Sequence, residues 1–408
     1  MSDATDAVRV PPSLFSLFSP EWENNPYGLY RAMRERGPVH WDEWMRTWIV
    51  LGYDEIAELS KDDRLSGARI DAFYEQLPAT ARTGLAPLKN ALSGMMLFNE
   101  PPRHTKLRQL IRPGLTPRFI REIRPVIEEL VDSLLDRAIE QGRMDVIHDF
   151  SEPLTRDVIR RLAGVPEHGA HLLAGWQGLL HEFFTQSRKE VPRLNALRRL
   201  FDEGAHGRRT GTGTDLFSKM IAGQLQRDNY GEDEIFANFL LLIDAGQATT
   251  THLIGNAVLA LIENEDQQQL LRDKPELAAN AAHEFLRYDS SVQFTSRVAL
   301  ADIEIGGHRI ERDQSVALVL GAGNRDPQHY ADPDRLDVTR KANDHLSFGH
   351  GIHYCLGASL AVAEIEIAIA RLLSRAADLR LAEPNPPWLE SVNFRFLQRL
   401  PIHFTPIR

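Results

Sequence analysis

The residue best suited to chemistry in this 408-residue chain is its only cysteine. Cys355 sits in Phe348-Gly349-His350-Gly351-Ile352-His353-Tyr354-Cys355-Leu356-Gly357. A lone cysteine can form neither an internal disulfide nor a cysteine-rich zinc cluster. It is either a buried thiol packed as a small hydrophobe or a ligand. Gly349, Gly351 and Gly357 clear side chains from around the sulfur, and a helix-like run begins at once, over 356–373. A helix N-terminus offers free N–H groups and a positive dipole end, both of which favour a thiolate. A thiolate held there, with glycines letting a flat macrocycle approach, is what an axial haem–cysteine bond needs.

Three further patterns could serve such a site. Ala245-Gly246-Gln247-Ala248-Thr249-Thr250 lies inside a long helical run, 232–264. Glycine costs about 1 kcal/mol in a helix interior, and threonine hydroxyls bond back to carbonyls one turn earlier. The cluster reads either as a helix-packing notch or as a polar groove in an apolar helix. Glu284 and Arg287, at i, i+3, are helix neighbours; alone they could be a surface ion pair worth little. His104 and Arg108, at i, i+4, share one helix face. They could grip a carboxylate or simply form a solvated basic face.

Together these motifs resemble the cytochrome P450 family of haem-thiolate monooxygenases. The cysteine segment matches the family's Phe-x-x-Gly-x-x-x-Cys-x-Gly signature, the other motifs follow in the family's order, and the likeness covers nearly the whole chain. The resemblance implies haem b on Cys355, with Phe348, Gly349 and Gly357 shaping the seat. It implies propionates held by His104, Arg108, Arg297 and His353. It places Ala245, Gly246 and Thr249 at the groove where dioxygen binds, with Thr249 supporting protonation there. The family usually has an acid where this chain has Ala248, so the ordinary proton path is in doubt; water, substrate or Gln247 could substitute. Glu284, Arg287 and Arg335 would form a structural triad holding the cysteine loop. Met96, Phe98, Leu242, Gln293, Phe294, Phe394 and Arg395 would wall the substrate pocket.

The implied reaction inserts one oxygen atom from dioxygen into a small organic substrate, as in specialised metabolism. Electrons would come from a ferredoxin or flavodoxin and its NAD(P)H-dependent reductase, since no flavin or iron–sulfur segment is evident here. Arg103, Lys106, Arg112 and Arg118 are a candidate docking patch for an acidic partner. Ala248 keeps open an enzyme that nitrates aromatics, couples phenols or uses peroxide. A non-catalytic haem gas sensor is a further alternative.

Positioning these groups takes a mainly α chain with a smaller β region, expected as one domain over 1–408 with a flexible arm at 1–12. Helices are expected over 20–37, 101–141, 147–163, 232–264 and 275–288, with loops and short helices over 65–98 and an exposed linker at 208–215. Strands are expected at 39–41, 47–50, 296–305, 308–310, 315–320 and 392–404, with Gly306-Gly307 as a hairpin turn. The 43% hydrophobic and 25% charged content is that of a globular protein with ample core. A net charge of −10 argues against general nucleic-acid binding. No apolar run is long enough to span a bilayer. A single thiol fits a reducing cytoplasm, and a monomer is expected.

Overall fold

The structure, a computed structural model, describes residues 13–19, 22, 25–174, 179, 183, 188–208, 215–227, 230–341 and 344–407. The arm expected at 1–12 and residues 209–214 of the expected linker lie outside the described residues.

Among the described residues the strands form sheets of five, three and two. β1 (Val39–Asp42) and β2 (Thr47–Val50) pair antiparallel. β3 (Leu65–Ser66) is short, and β4 (Arg143–Asp145) joins a second sheet. β5 (Thr295–Ala299), β6 (Ile303–Ile305), β7 (His308–Ile310) and β8 (Ser315–Leu318) follow the middle of the chain. β9 (Ala376–Leu381) and β10 (Pro401–Pro406) close it. The main sheet runs β1-β2-β8-β5-β3, with β2 and β8 parallel and the other pairs antiparallel. Gly306 and Gly307 turn between β6 and β7 at φ of 56° and 77°, values that favour glycine at both hairpin positions.

Helices form the rest, around one large apolar cluster. Its centre is the long helix Glu232–Glu263, which is apolar nearly all round and therefore buried on most faces. The helix Ala358–Arg375 packs against it and against Pro117–Ile139. The segment expected as a helix over 147–163 opens as a π-helical turn, Val146–Ser151, before Glu152–Ala163. Two expectations need correcting. The stretch read as a loop with short helices contains the sixteen-residue helix Ala79–Gly94. Leu85, Leu88, Ala91 and Leu92 are buried on one of its faces, and that burial outweighs the local cost of Gly84 and Pro87. The strand β9 was not expected; it follows directly from the last helix and pairs only with β10, which in turn pairs β4 from far earlier in the chain.

Candidate active site

The cysteine loop is a folded-back segment tied at its neck. The Cys355 N–H donates to the Phe348 carbonyl at 2.8 Å. Gly349 and Gly351 adopt φ of 67° and 70°, and a Cβ at Gly351 would stand 2.5 Å from the Ser60 carbonyl oxygen. A Cβ at Gly357 would meet no atom within 4 Å; it would project into the cavity that Gly357 lines. The helix starts at Ala358, three residues past the sulfur. Burial pushes the Cys355 thiol up, while the Gly357 N–H, the Arg108 guanidinium and the Ala358 N–H pull the other way.

That cavity encloses about 280 Å³ between the cysteine loop and the long helix. It brings together Cys355, Phe348, His353, Gly357, His104, Arg108, Ala245, Gly246, Thr249, Met96 and Leu242. The Thr249 hydroxyl donates to the Ala245 carbonyl at 2.8 Å, the back-bond expected of threonine in a helix. Gly246 packs where any Cβ would lie 2.3 Å from Ile159 Cδ1.

At one edge the cavity is rich in unmet donors. His104 is 2% exposed, yet neither of its ring nitrogens has a partner. Its ring meets that of His353 edge-on at 4.6 Å. His353 Nε2 lies 3.6 Å from Glu100 Oε1, beyond hydrogen-bond reach. Burial, together with the charges of His353 and Arg108, pushes His104 down to about 4. Arg108 donates to the Tyr354 carbonyl at 2.9 Å. Orphaned imidazoles beside a guanidinium suit carboxylates, as haem propionates would supply. With room for a macrocycle over Gly357 and the Cys355 sulfur in the same lining, the residues fit a haem.

Arg297 stands off this wall, with its Nη1 on Thr295 Oγ1 at 2.7 Å and the Ser296 carbonyl at 2.8 Å. Arg69, which the sequence reading missed, lies near it. β3 pairs with β5 so that Ser66 opposes Val298, bringing the chain just past β3 alongside Arg297. Burial, then the charge of Arg297, pushes Arg69 down to about 9, and neither guanidinium has an acidic partner within salt-bridge distance among the described residues. Nothing in the local sequence signals this approach, which the β3–β5 pairing sets.

The substrate wall departs most from expectation. Phe98 turns away under the Arg69 guanidinium, 4.9 Å from ring centre to charge. Gln293, Phe294, Phe394 and Arg395 are also off the cavity; Ser290, Ser291 and Val292 take their place with Leu97, Leu162 and Leu241. The departing side chains are each taken up by other contacts. Val292 bridges Phe394 and faces the cavity. Gln293 is buried instead against Tyr30, whose hydroxyl donates to its Oε1 at 3.0 Å. Phe294 joins the apolar cluster around Tyr30. Arg395 pairs with Asp289 at 2.8 Å and stacks over Trp388. Phe394 stacks on Phe396 at 4.7 Å.

The structural triad needs one substitution. Glu284 and Arg287, each 1% exposed, form a two-pronged pair at 2.8 Å and 2.8 Å. Arg287 also donates to the carbonyls of Asn324, Pro333 and Arg335, tying the helix Ala278–Tyr288 to the segment before the cysteine loop. Arg335 gives only its carbonyl, and its side chain is exposed. The second guanidinium on Glu284 belongs to Arg340, at 3.3 Å. Irregular backbone has no period from which to choose between two arginines five residues apart.

Of the proposed docking patch, Arg103 is paired with Glu234 and Arg118 with Glu122. Lys106 and Arg112 remain exposed beside Arg108.

Residues 176–377 match the Cytochrome P450 family. The chain is 38% identical to the biotin biosynthesis cytochrome P450 of Bacillus subtilis (strain 168), over 95% of this chain and 98% of that one. The chain belongs to the cytochrome P450 family. It is thus a haem b oxidoreductase, and the mainly α P450 fold is the one described above. It is 34% identical to the vitamin D(3) 25-hydroxylase of Pseudonocardia autotrophica, over 96% of each. The crystal structure of P450BioI with an acyl carrier protein bearing hexadec-9Z-enoic acid superposes with a TM-score of 0.85, at 36% identity, over 95% of this P450 and all of that chain. No helix among the described residues is long and apolar enough to cross a membrane.

Proposed function

We propose that this P450 is a single-domain monooxygenase that inserts one oxygen atom from dioxygen into a largely hydrocarbon substrate. The observation that carries this reading is the shared cavity. It joins the Cys355 floor to the Ala245–Thr249 groove, and its wall around Met96, Leu97, Leu241, Leu242 and Val292 is apolar. Bound haem would supply oxygen activation, with the thiolate donating electron density to iron. The chain's own residues then do the rest. Cys355 ligates, with the N–H groups of Gly357 and Ala358 holding its sulfur. His104, Arg108 and His353 hold the propionates, with Arg297 and Arg69 behind them. Met96, Leu97, Leu241, Leu242 and Val292 exclude water and orient the substrate by shape, because no charged side chain lines that part of the wall. Thr249 holds a proton-relaying hydroxyl at the groove.

An acyl chain is a substrate class that fits such a wall, and P450BioI binds one on a carrier protein. Lys106 and Arg112 are the cations left to steer a ferredoxin or flavodoxin, fed by an NAD(P)H-dependent reductase in the cytoplasm. The test is a carbon monoxide difference spectrum of the reduced protein, then a screen of fatty acids and other apolar ligands by shift of the Soret band. Product analysis with ferredoxin and reductase follows. A thiolate spectrum with an oxygenated product is expected. Nitrated or coupled aromatics, or product formed only with peroxide, would overturn the reading.

A further inference from the structure

We propose that a hydrated chamber behind the long helix supplies protons to Thr249, in place of the acid that this chain lacks at Ala248. The inference rests on the monooxygenase reading. Inserting one oxygen atom and releasing the other as water consumes two electrons, from the NAD(P)H-fed partner, and two protons, from solvent. Those protons need a path to a groove walled by apolar side chains.

The chamber encloses about 270 Å³ between the π-helical turn Val146–Ser151, the long helix and the chain near Leu397. Gln247, Ala248, Thr251 and His252 form its inner lining, and His148 and Glu152 stand at its mouth. The mouth pair is 3.5 Å apart, with side chains 58% and 20% exposed. Position 248 therefore opens on this chamber while position 249 opens on the haem cavity. Two adjacent residues of one helix face two different cavities.

The lining asks for water. Gln247 is 1% exposed; its Nε2 donates to the Leu173 carbonyl at 2.9 Å, but its Oε1 has no partner. His252 stacks on Phe396 at 4.1 Å and its Nδ1 is buried and unpaired. A buried polar atom left without a partner is costly and calls for water. One water needs only about 10–15 Å³ of such space, so this volume holds several. Burial, then the charge of His148, pushes His252 down to about 3, so its ring is neutral at pH 7 and can accept and donate. The Thr251 hydroxyl, 2.6 Å from that of Thr155 behind it, continues the polar lining. Across the helix, Gly246 and the Thr249–Ala245 back-bond weaken the ladder where a water must insert.

The test begins with a high-resolution crystal structure of the haem-loaded enzyme. Ordered waters bonded to Gln247 Oε1 and His252 Nδ1 are expected, and an empty chamber would overturn the proposal. Two variants then block the path. Ala248→Leu fills its inner end, and His252→Phe keeps the stack on Phe396 but removes the nitrogens. In both, the thiolate spectrum and the substrate-induced Soret shift should persist. Product per NADH should fall by about tenfold with peroxide released instead, a modest share of what positioned proton transfer contributes. Adding Ala248→Asp to His252→Phe should restore coupling by supplying a carboxylate directly. Unchanged coupling in both blocked variants would overturn the chamber's role even if it holds water. Failure of the monooxygenase reading would show separately, as a parent enzyme that forms no oxygenated product.

Discussion

At the cofactor end of the haem cavity, Cys355 and Arg108 are held by backbone hydrogen bonds, with His104 and His353 beside them offering unpaired ring nitrogens. The loop is pinned by the Cys355–Phe348 bond, and the segment before it is tied down by the buried Glu284–Arg287 pair. At the substrate end, Met96, Leu97, Leu241, Leu242 and Val292 are interchangeable in kind and held only by packing. The polar residues expected to aim into that end, Gln293 and Arg395, are consumed in holding it together. Directional bonds leave one acceptable residue at each position. Apolar packing accepts many, and so leaves specificity to shape.

The contrast can be broken at its strongest point first. Cys355→Ser should abolish the thiolate spectrum and all product, read by the carbon monoxide difference spectrum and by turnover. Next, Glu284→Gln leaves the guanidiniums of Arg287 and Arg340 uncompensated. It should cost about 3–5 kcal/mol of stability, with haem content falling in step, measured by denaturant unfolding of the loaded protein.

The substrate end should respond in affinity, not in folding. Leu242→Phe should weaken binding of bulky ligands by about tenfold, of the order of one methylene-scale misfit, with haem content unchanged. Gln293→Leu should do the reverse, leaving ligand affinity alone while costing about 1–3 kcal/mol through the unpaired Tyr30 hydroxyl. A loss of ligand affinity in Gln293→Leu would return that residue to the pocket wall.

A separate effect, read on the whole fold, is acid sensitivity. Burial holds His345 and His252 at about 3, against an ordinary value of 6.5. The unfolded chain binds those protons and the fold does not. Stability is therefore intact above pH 6.5 and declines as pH falls from there toward 3. Unfolding midpoints at pH 7 and pH 5 should show the loss, and His345→Phe should reduce it.

The sequence by itself determined the chemistry. Cys355, its glycines, Thr249 and the Glu284–Arg287 pair lie in short contiguous motifs, which the family resemblance matches residue by residue even where each motif alone left a structural alternative open. Strongly periodic helices such as Glu232–Glu263 and Ala278–Tyr288 and most strands were legible in local pattern, whereas Ala79–Gly94, Val191–Arg208 and Leu216–Arg227 were not. Tertiary structure alone decided which residues meet across the fold. It set Arg340 and not Arg335 on Glu284, brought Arg69 beside Arg297, and turned Gln293 and Arg395 into braces. It also opened Thr249 and Ala248 onto separate cavities. Those contacts join residues tens to hundreds apart, through strand register and side-chain direction. A one-residue change in either reverses what a side chain faces, while composition and periodicity remain the same.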